Sequence, residues 1–68
     1  MNMTAEQYLD RNLKALVKSG RADSFGVSFI QRHCLVGYNQ ALHTIDRGVE
    51  RGILIRDDVA EWLVRIKP

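Results

Sequence analysis

The side chains that could do chemistry in this chain are few and scattered. His33, Cys34 and His43 are its only soft metal-ligand candidates, and they lack the paired short spacings of zinc sites. A nucleophilic Cys-His pair needs an orienting third group and a pocket, and nothing beside Cys34 supplies either. Free cysteine behaves mainly as a small hydrophobe, which is the simplest reading of Cys34. Asp57, Asp58 and Glu61 form a carboxylate group, but in a turn such charges are normally solvated. No glycine-rich phosphate loop is present. The expectation is therefore no catalysis, no metal and no cofactor.

A different chemistry is concentrated between residues 32 and 56. Asn39, Gln40, Thr44 and Arg47 are types that read base edges or hold phosphates, and His43 lies among them. Tyr38 has a hydroxyl for a phosphate or a ring for packing in a turn. Asn39 also reads as a helix cap, the favoured of its two readings. Arg32 reads as a phosphate clamp or as a solvated arginine. Arg56 is the best-placed residue for a contact from a wing, although Asp57 and Asp58 beside it would repel phosphate.

These residues need a scaffold, and the pattern supplies one. Thr4 and Gln7 fit a capping box. Tyr8, Leu9, Leu13, Leu16 and Val17 repeat at helical spacing, Lys14 and Lys18 suit the carboxyl end, and Gly20 is a natural stop. A first helix is expected from about Thr4 to Ser19. Arg21 to Val27 reads as a connection with two or three extended residues around Phe25. Ser28 and Gln31 suggest a second capping box, opening a short helix to about Leu35 with Phe29, Ile30, Cys34 and Leu35 as its apolar stripe. Gly37 offers a positive φ in the turn that follows. A third helix runs from Tyr38 or Asn39 to Arg51, with Ala41, Leu42, Ile45 and Val49 facing inward. Gly48 costs about 1 kcal/mol of helix propensity there, which is tolerable where another element crosses closely. Gly52 ends the helix.

The tail fits two periods. Ile53–Arg56 and Val59–Lys67, joined at Asp57-Asp58, make a hairpin with Trp62, Val64 and Ile66 on one face. Asp58 to Ile66 also fits a helix with Val59, Trp62, Leu63 and Ile66 as its face. The β-branched start at Ile53 favours the hairpin. The expected fold is mainly α with a small β-hairpin: one domain over residues 1–68, a winged helix-turn-helix of three helices and a two-stranded wing. The helix-turn-helix covers about 28–51 and the wing about 53–67.

At Val27 to Leu54 the residues resemble the gamma domain at the carboxyl end of FtsK/SpoIIIE-type DNA translocases. The shared features are Ser28, the Gln31-Arg32 pair, the Gly37-Tyr38-Asn39 turn, Ala41, Ile45 followed by Asp46, and Gly52 followed by aliphatic residues. The resemblance implies a winged-helix domain that binds short guanine-rich orienting sequences on duplex DNA. It also implies contact with a tyrosine site-specific recombinase. The chain departs from the family at two places. Arginines typically follow the turn asparagine and recur about three positions later, where this chain has Gln40 and His43. Arginine pairs bidentately with guanine and glutamine with adenine. Either the target sequence differs, or the partner is not DNA.

Size and charge bound the rest. The chain has 68 residues with 10 Lys+Arg against 8 Asp+Glu, net +2. It has no room for a translocating motor, so the expectation is a small free-standing regulator or accessory factor from a bacterium, phage or other mobile element. One cysteine excludes a disulfide framework and fits a reducing cytoplasm. No apolar run approaches a membrane span, and the polar amino terminus lacks a signal peptide's pattern. The charge is thinly spread: residues 53–68 carry three basic and three acidic side chains. A monomer would make few phosphate contacts, so weak binding or a homodimer is expected. The binding residues expected on this reading are Arg32, Tyr38, Asn39, Gln40, His43, Thr44, Arg47 and Arg56. The rival reading is a winged-helix module that binds protein, such as a recombinase, a polymerase or a defence complex.

Overall fold

The computed structural model describes residues 3–68; the first two residues of the polar amino terminus lie outside them. Three helices and a two-stranded antiparallel sheet follow in order: α1 (Ala5–Lys18), α2 (Val27–Cys34), α3 (Tyr38–Glu50), β1 (Leu54–Arg56) and β2 (Val64–Ile66). This is the winged helix-turn-helix expected from the pattern, mainly α with a small hairpin.

Local chemistry sets most of the boundaries. Thr4 caps α1, its side chain accepting from the Gln7 amide while Gln7 Oε1 accepts from the Thr4 amide, the reciprocal box that the sequence suggests. Gly20 and Gly52 adopt φ +65 and +73 after α1 and α3, where a side chain would be strained. The second capping box does not form. Gly26 is the N-cap of α2 and no side chain caps it, because the helix begins one residue before Ser28.

The turn between α2 and α3 is also built differently from the expectation. Gly37 has an ordinary extended backbone, φ −77, and caps α3. The left-handed residue is Leu35, φ 57, which closes α2. That conformation swings Leu35 out of the apolar stripe of α2 and leaves it 88% exposed. The helix therefore buries Ile30 and half-buries Phe29 and Cys34 instead.

The core comprises Leu13, Leu16, Phe25, Ile30, Ala41, Ile45, Leu54 and Val64, contributed by every element. Gly48 lies where β1 crosses α3. A Cβ built there would approach Leu54 Cγ at 2.7 Å and Leu13 Cδ2 at 2.8 Å, so the lost helix propensity is exchanged for close approach.

The sheet pairs Leu54 with Ile66, Ile55 with Arg65 and Arg56 with Val64. Phe25 adds an antiparallel bridge to Val64 of β2. Its amide donates to the Val64 carbonyl at 2.8 Å and its carbonyl accepts from the Val64 amide at 2.9 Å, fulfilling the extended segment expected before α2. The second strand is shorter than the pattern suggests. Residues 57–63 form the loop of the wing rather than strand, and Trp62 is 72% exposed rather than aligned with Val64. The Asp57 carboxylate holds this loop by accepting from the Val59 and Ala60 amides, both at 2.8 Å. Those two bonds also keep its carboxyl below the usual range.

Among the described residues no helix is long and apolar enough to cross a membrane.

Candidate nucleic-acid interface

Helix α3 presents three stripes, each following from the 3.6-residue period. Ala41, Ile45 and Gly48 are buried in the core. Asn39, His43, Asp46 and Glu50 face solvent. Gln40, Thr44, Arg47 and Arg51 face α1.

The third stripe changes the standing of several candidate residues. Thr44 is fully buried, 0% exposed. Its hydroxyl accepts from Asn12 Nδ2 at 3.2 Å and donates to the Gln40 carbonyl at 2.8 Å. The Gln40 side chain is half-buried and accepts from the same Asn12 amide at 3.2 Å. Thr44 is thus a structural residue that no base can reach, and Gln40 is largely engaged. The reason is Asn12. It occupies an inward position of α1 between Leu9 and Leu16 and requires polar partners once buried. Among the described residues no buried side-chain nitrogen or oxygen lacks a partner.

Arg47 is similarly committed. Its Nε donates to Asp10 Oδ1 at 2.8 Å and its Nη2 to Oδ2 at 3.4 Å. Arg51 adds a 2.8 Å contact to the same carboxylate. The Arg47 hydrogen bond holds the Asp10 carboxyl below its ordinary value and is opposed by partial desolvation. The same bond raises Arg47. Asp10 therefore draws both arginines of this stripe toward α1.

Arg56 lies at the base of the wing, as the sequence suggests, but its Nη2 meets Asp46 Oδ1 at 3.0 Å and its Nη1 the Glu61 carbonyl at 3.3 Å. The ion pair is exposed on both sides, so it is weak and exchangeable.

Besides Arg56, four candidate residues are open to solvent: Arg32 on α2, and Tyr38, Asn39 and His43 on α3. Asn39 is not the helix cap. It occupies the second helical position, one residue after Tyr38, and the N-cap at Gly37 uses no side chain. Tyr38, 59% exposed, stands at the amino end of the helix.

Charge is partitioned across the molecule. The outward stripe of α3 and the loop of the wing, residues 57–63, carry Asp46, Glu50, Asp57, Asp58 and Glu61, with Arg56 at the base of that loop. The cations outside any ion pair among the described residues are Arg11, Lys14, Lys18, Arg21, Arg32, Arg65 and Lys67, on α1, α2, the connection between them, β2 and the residue after it. Arg11, Arg65 and Lys67 carried no functional reading in the sequence. Arg65 and Lys67 read simply as the outward alternation of a strand, and only the fold brings them beside Arg21.

Arg21 lies over the Phe29 ring, 4.5 Å from guanidinium carbon to ring centroid. His33 stacks on the same ring at 5.3 Å, and its Nε2 donates to the Ala15 carbonyl at 3.1 Å. A carbonyl can only accept, so this contact places the proton on Nε2. Cys34 is half-buried, and its thiol donates to the Asn12 carbonyl at 3.7 Å. Burial pushes the thiol up, against the opposing field of Arg11, which disfavours a thiolate. Among the described residues no three His, Cys, Asp or Glu side chains gather as a metal site.

Compared with known proteins, the chain matches no family model, no curated protein and no solved structure.

Proposed function

We propose that this protein is a small winged-helix binder of duplex DNA that reads bases with Asn39 and His43, from the amino-terminal half of α3. The carrying observation is that Asn39 and His43 share the solvent face of α3, one turn apart, while Arg32 and Tyr38 are exposed nearby on the helix-turn-helix. In this motif the early residues of the second helix meet base edges, while the first helix crosses the backbone. The amino end of α3, where Gly37 brings no capping side chain, favours phosphate through its free amides and dipole. The resemblance to FtsK/SpoIIIE-type gamma domains over Val27 to Leu54 supports the same reading. Thr44 and Arg47 are structural on this account, and Gln40 serves mainly Asn12.

Asparagine pairs bidentately with adenine, and the arginines that would read guanine are replaced by Gln40 and His43. The target is therefore a site containing adenine rather than a guanine-rich one. Selection from randomised duplex DNA at low and physiological salt tests this. An enriched sequence whose preference is relaxed by Asn39→Ala supports the reading; no enrichment at either salt overturns it.

One observation favours a second reading. Val59 and Trp62, 92% and 72% exposed, stand on a wing loop among Asp57, Asp58 and Glu61. Exposed apolar residues on a loop that also carries carboxylates fit a basic, partly apolar protein surface better than they fit phosphate. A recombinase or other DNA-processing protein would present such a surface. A nuclease-resistant stoichiometric partner, recovered by wild type and lost with Trp62→Ala, would establish this role for the wing.

A further inference from the structure

We propose, resting on the DNA reading above, that the phosphodiester backbone runs over α2 and the outer face of β2, held by Arg21, Arg32, Arg65 and Lys67, and that the wing tip stands off the duplex. The arrangement follows from which cations remain available. Arg47 and Arg51 are bound to Asp10, and Arg56 stands beside Asp46 at the base of the acidic wing loop. They leave the third helix and the wing with unpaired carboxylates at Glu50, Asp58 and Glu61. A backbone laid along that edge would meet like charge.

The unpaired cations gather elsewhere. Arg21, Phe29, Arg32 and His33 line one open concavity. Arg21 also lines a second, with Arg65 and Lys67. Arg21 thus joins two groups of cations into one continuous band. The connection holding it contributes one carboxylate, Asp23.

Arg21 is also held in place. Its guanidinium lies on Phe29, and Phe29 is fixed between Phe25, centroid to centroid 5.1 Å, and His33. A guanidinium stacked on an aromatic face keeps its edge donors free while losing less side-chain entropy on binding. Its planar fork suits the oxygens of a phosphodiester. Arg32 is on α2, the element that crosses the backbone in this motif. Arg65 projects outward between buried Val64 and half-buried Ile66.

The test is the salt dependence of binding to a duplex taken from the selection, for wild type and for Arg21→Gln/Arg32→Gln/Arg65→Gln/Lys67→Gln. Each lost phosphate contact should reduce the slope of log K against log salt by about 0.9, so the fourfold variant should lose about 3 to 4. Preference among sequences should persist, because Asn39 and His43 are untouched. Arg32→Gln and Lys67→Gln alone should each lose about 0.9, which preserves the test if the fourfold variant folds poorly. Asp58→Asn/Glu61→Gln should leave the slope unchanged. An unchanged slope in the band variants, or one altered by the wing variant, overturns the path while leaving DNA binding intact. Failure of wild type to bind any duplex at low salt overturns both, as does retention only on anionic vesicles or acidic peptide.

Discussion

Arg47 of α3 grips Asp10 of α1 through Nε at 2.8 Å and Nη2 at 3.4 Å, so the arginine best suited by type to touch DNA is turned toward the protein. The pair is partly shielded, and Arg51 shares the carboxylate at 2.8 Å. Together they tie the amino-terminal half of α1 to the carboxyl-terminal half of α3. This tie holds the third helix against the first on the side away from the solvent-facing stripe of Asn39 and His43.

Arg47→Ala should therefore lower the thermal midpoint and leave the DNA sequence preference as in wild type. Arg51 keeps part of the tie, so Arg47→Ala/Arg51→Ala should fall further. Calorimetry alongside a competition assay with the selected duplex checks this. A base-reading arginine would behave in the opposite way, losing preference with the midpoint unmoved.

The same pair predicts a loss of stability in acid. Arg47 holds the Asp10 carboxyl low, so the folded state keeps this proton off at pH values where the unfolded chain has begun to bind it. The stabilisation is complete above the ordinary aspartate value of about 3.9 and disappears as pH falls through the lowered folded value. Asp57, held low by the Ala60 and Val59 amides, acts in the same direction and window. Denaturant midpoints measured between pH 6 and about 2 should fall in wild type, over the range set by these carboxylates. Asp10→Asn should flatten the fall without abolishing it, since Asp57 remains. An identical pH profile in Asp10→Asn would exclude Asp10 as a contributor.

Asn12 should matter more than its type suggests. It is 2% exposed and its Nδ2 serves both Thr44 Oγ1 and Gln40 Oε1 at 3.2 Å. Asn12→Ala would remove the donor shared by a buried hydroxyl and a half-buried amide. Thr44 can still donate to the Gln40 carbonyl, which limits the damage. A loss of about 1–3 kcal/mol is expected in urea unfolding. Asn12→Ala/Thr44→Val should recover part of it, because both partners of the buried pair are then apolar. A double variant no more stable than Asn12→Ala would contradict this pairing.

Some features set within a few residues were legible, although the Ser28–Gln31 box and a positive φ at Gly37 did not form. The polar contacts between α1 and α3 were not legible. The Thr4–Gln7 box and the stops at Gly20 and Gly52 depend on neighbours in sequence, and each forms as its residues suggest. The stripe Gln40, Thr44 and Arg47 looked like a solvent face because all three are polar. Only α1 reveals otherwise, by bringing Asn12 and Asp10 against it. One signal was present: Asn12 follows Leu9 by three residues and precedes Leu16 by four, which marks it as inward on α1. A polar residue at such a position calls for a polar partner on the facing helix. Leu35 was misread for a related reason. Helical spacing places it with Ile30 and Cys34, but the helix has already ended in a left-handed residue.

Gly48 offers the clearest case where packing and propensity oppose one another. Alanine is better than glycine in a helix by about 1 kcal/mol, so an exposed position would gain from the change. Here the added carbon would sit 2.6 Å from Leu54 Cδ1, 2.7 Å from Leu54 Cγ and 2.8 Å from Leu13 Cδ2. Leu54 is 2% exposed and paired in β1, so its branch carbon cannot simply swing aside. Overpacking of this kind typically costs about 1–3 kcal/mol. Gly48→Ala should therefore be destabilising overall, with the hairpin pushed off α3. Gly48→Ala/Leu54→Val should be less affected than the two single changes would sum to, because removing a methylene makes room for the new methyl. Urea unfolding of the four proteins of this cycle measures the coupling. Additive losses would mean that the contact between α3 and β1 is not the source of the cost.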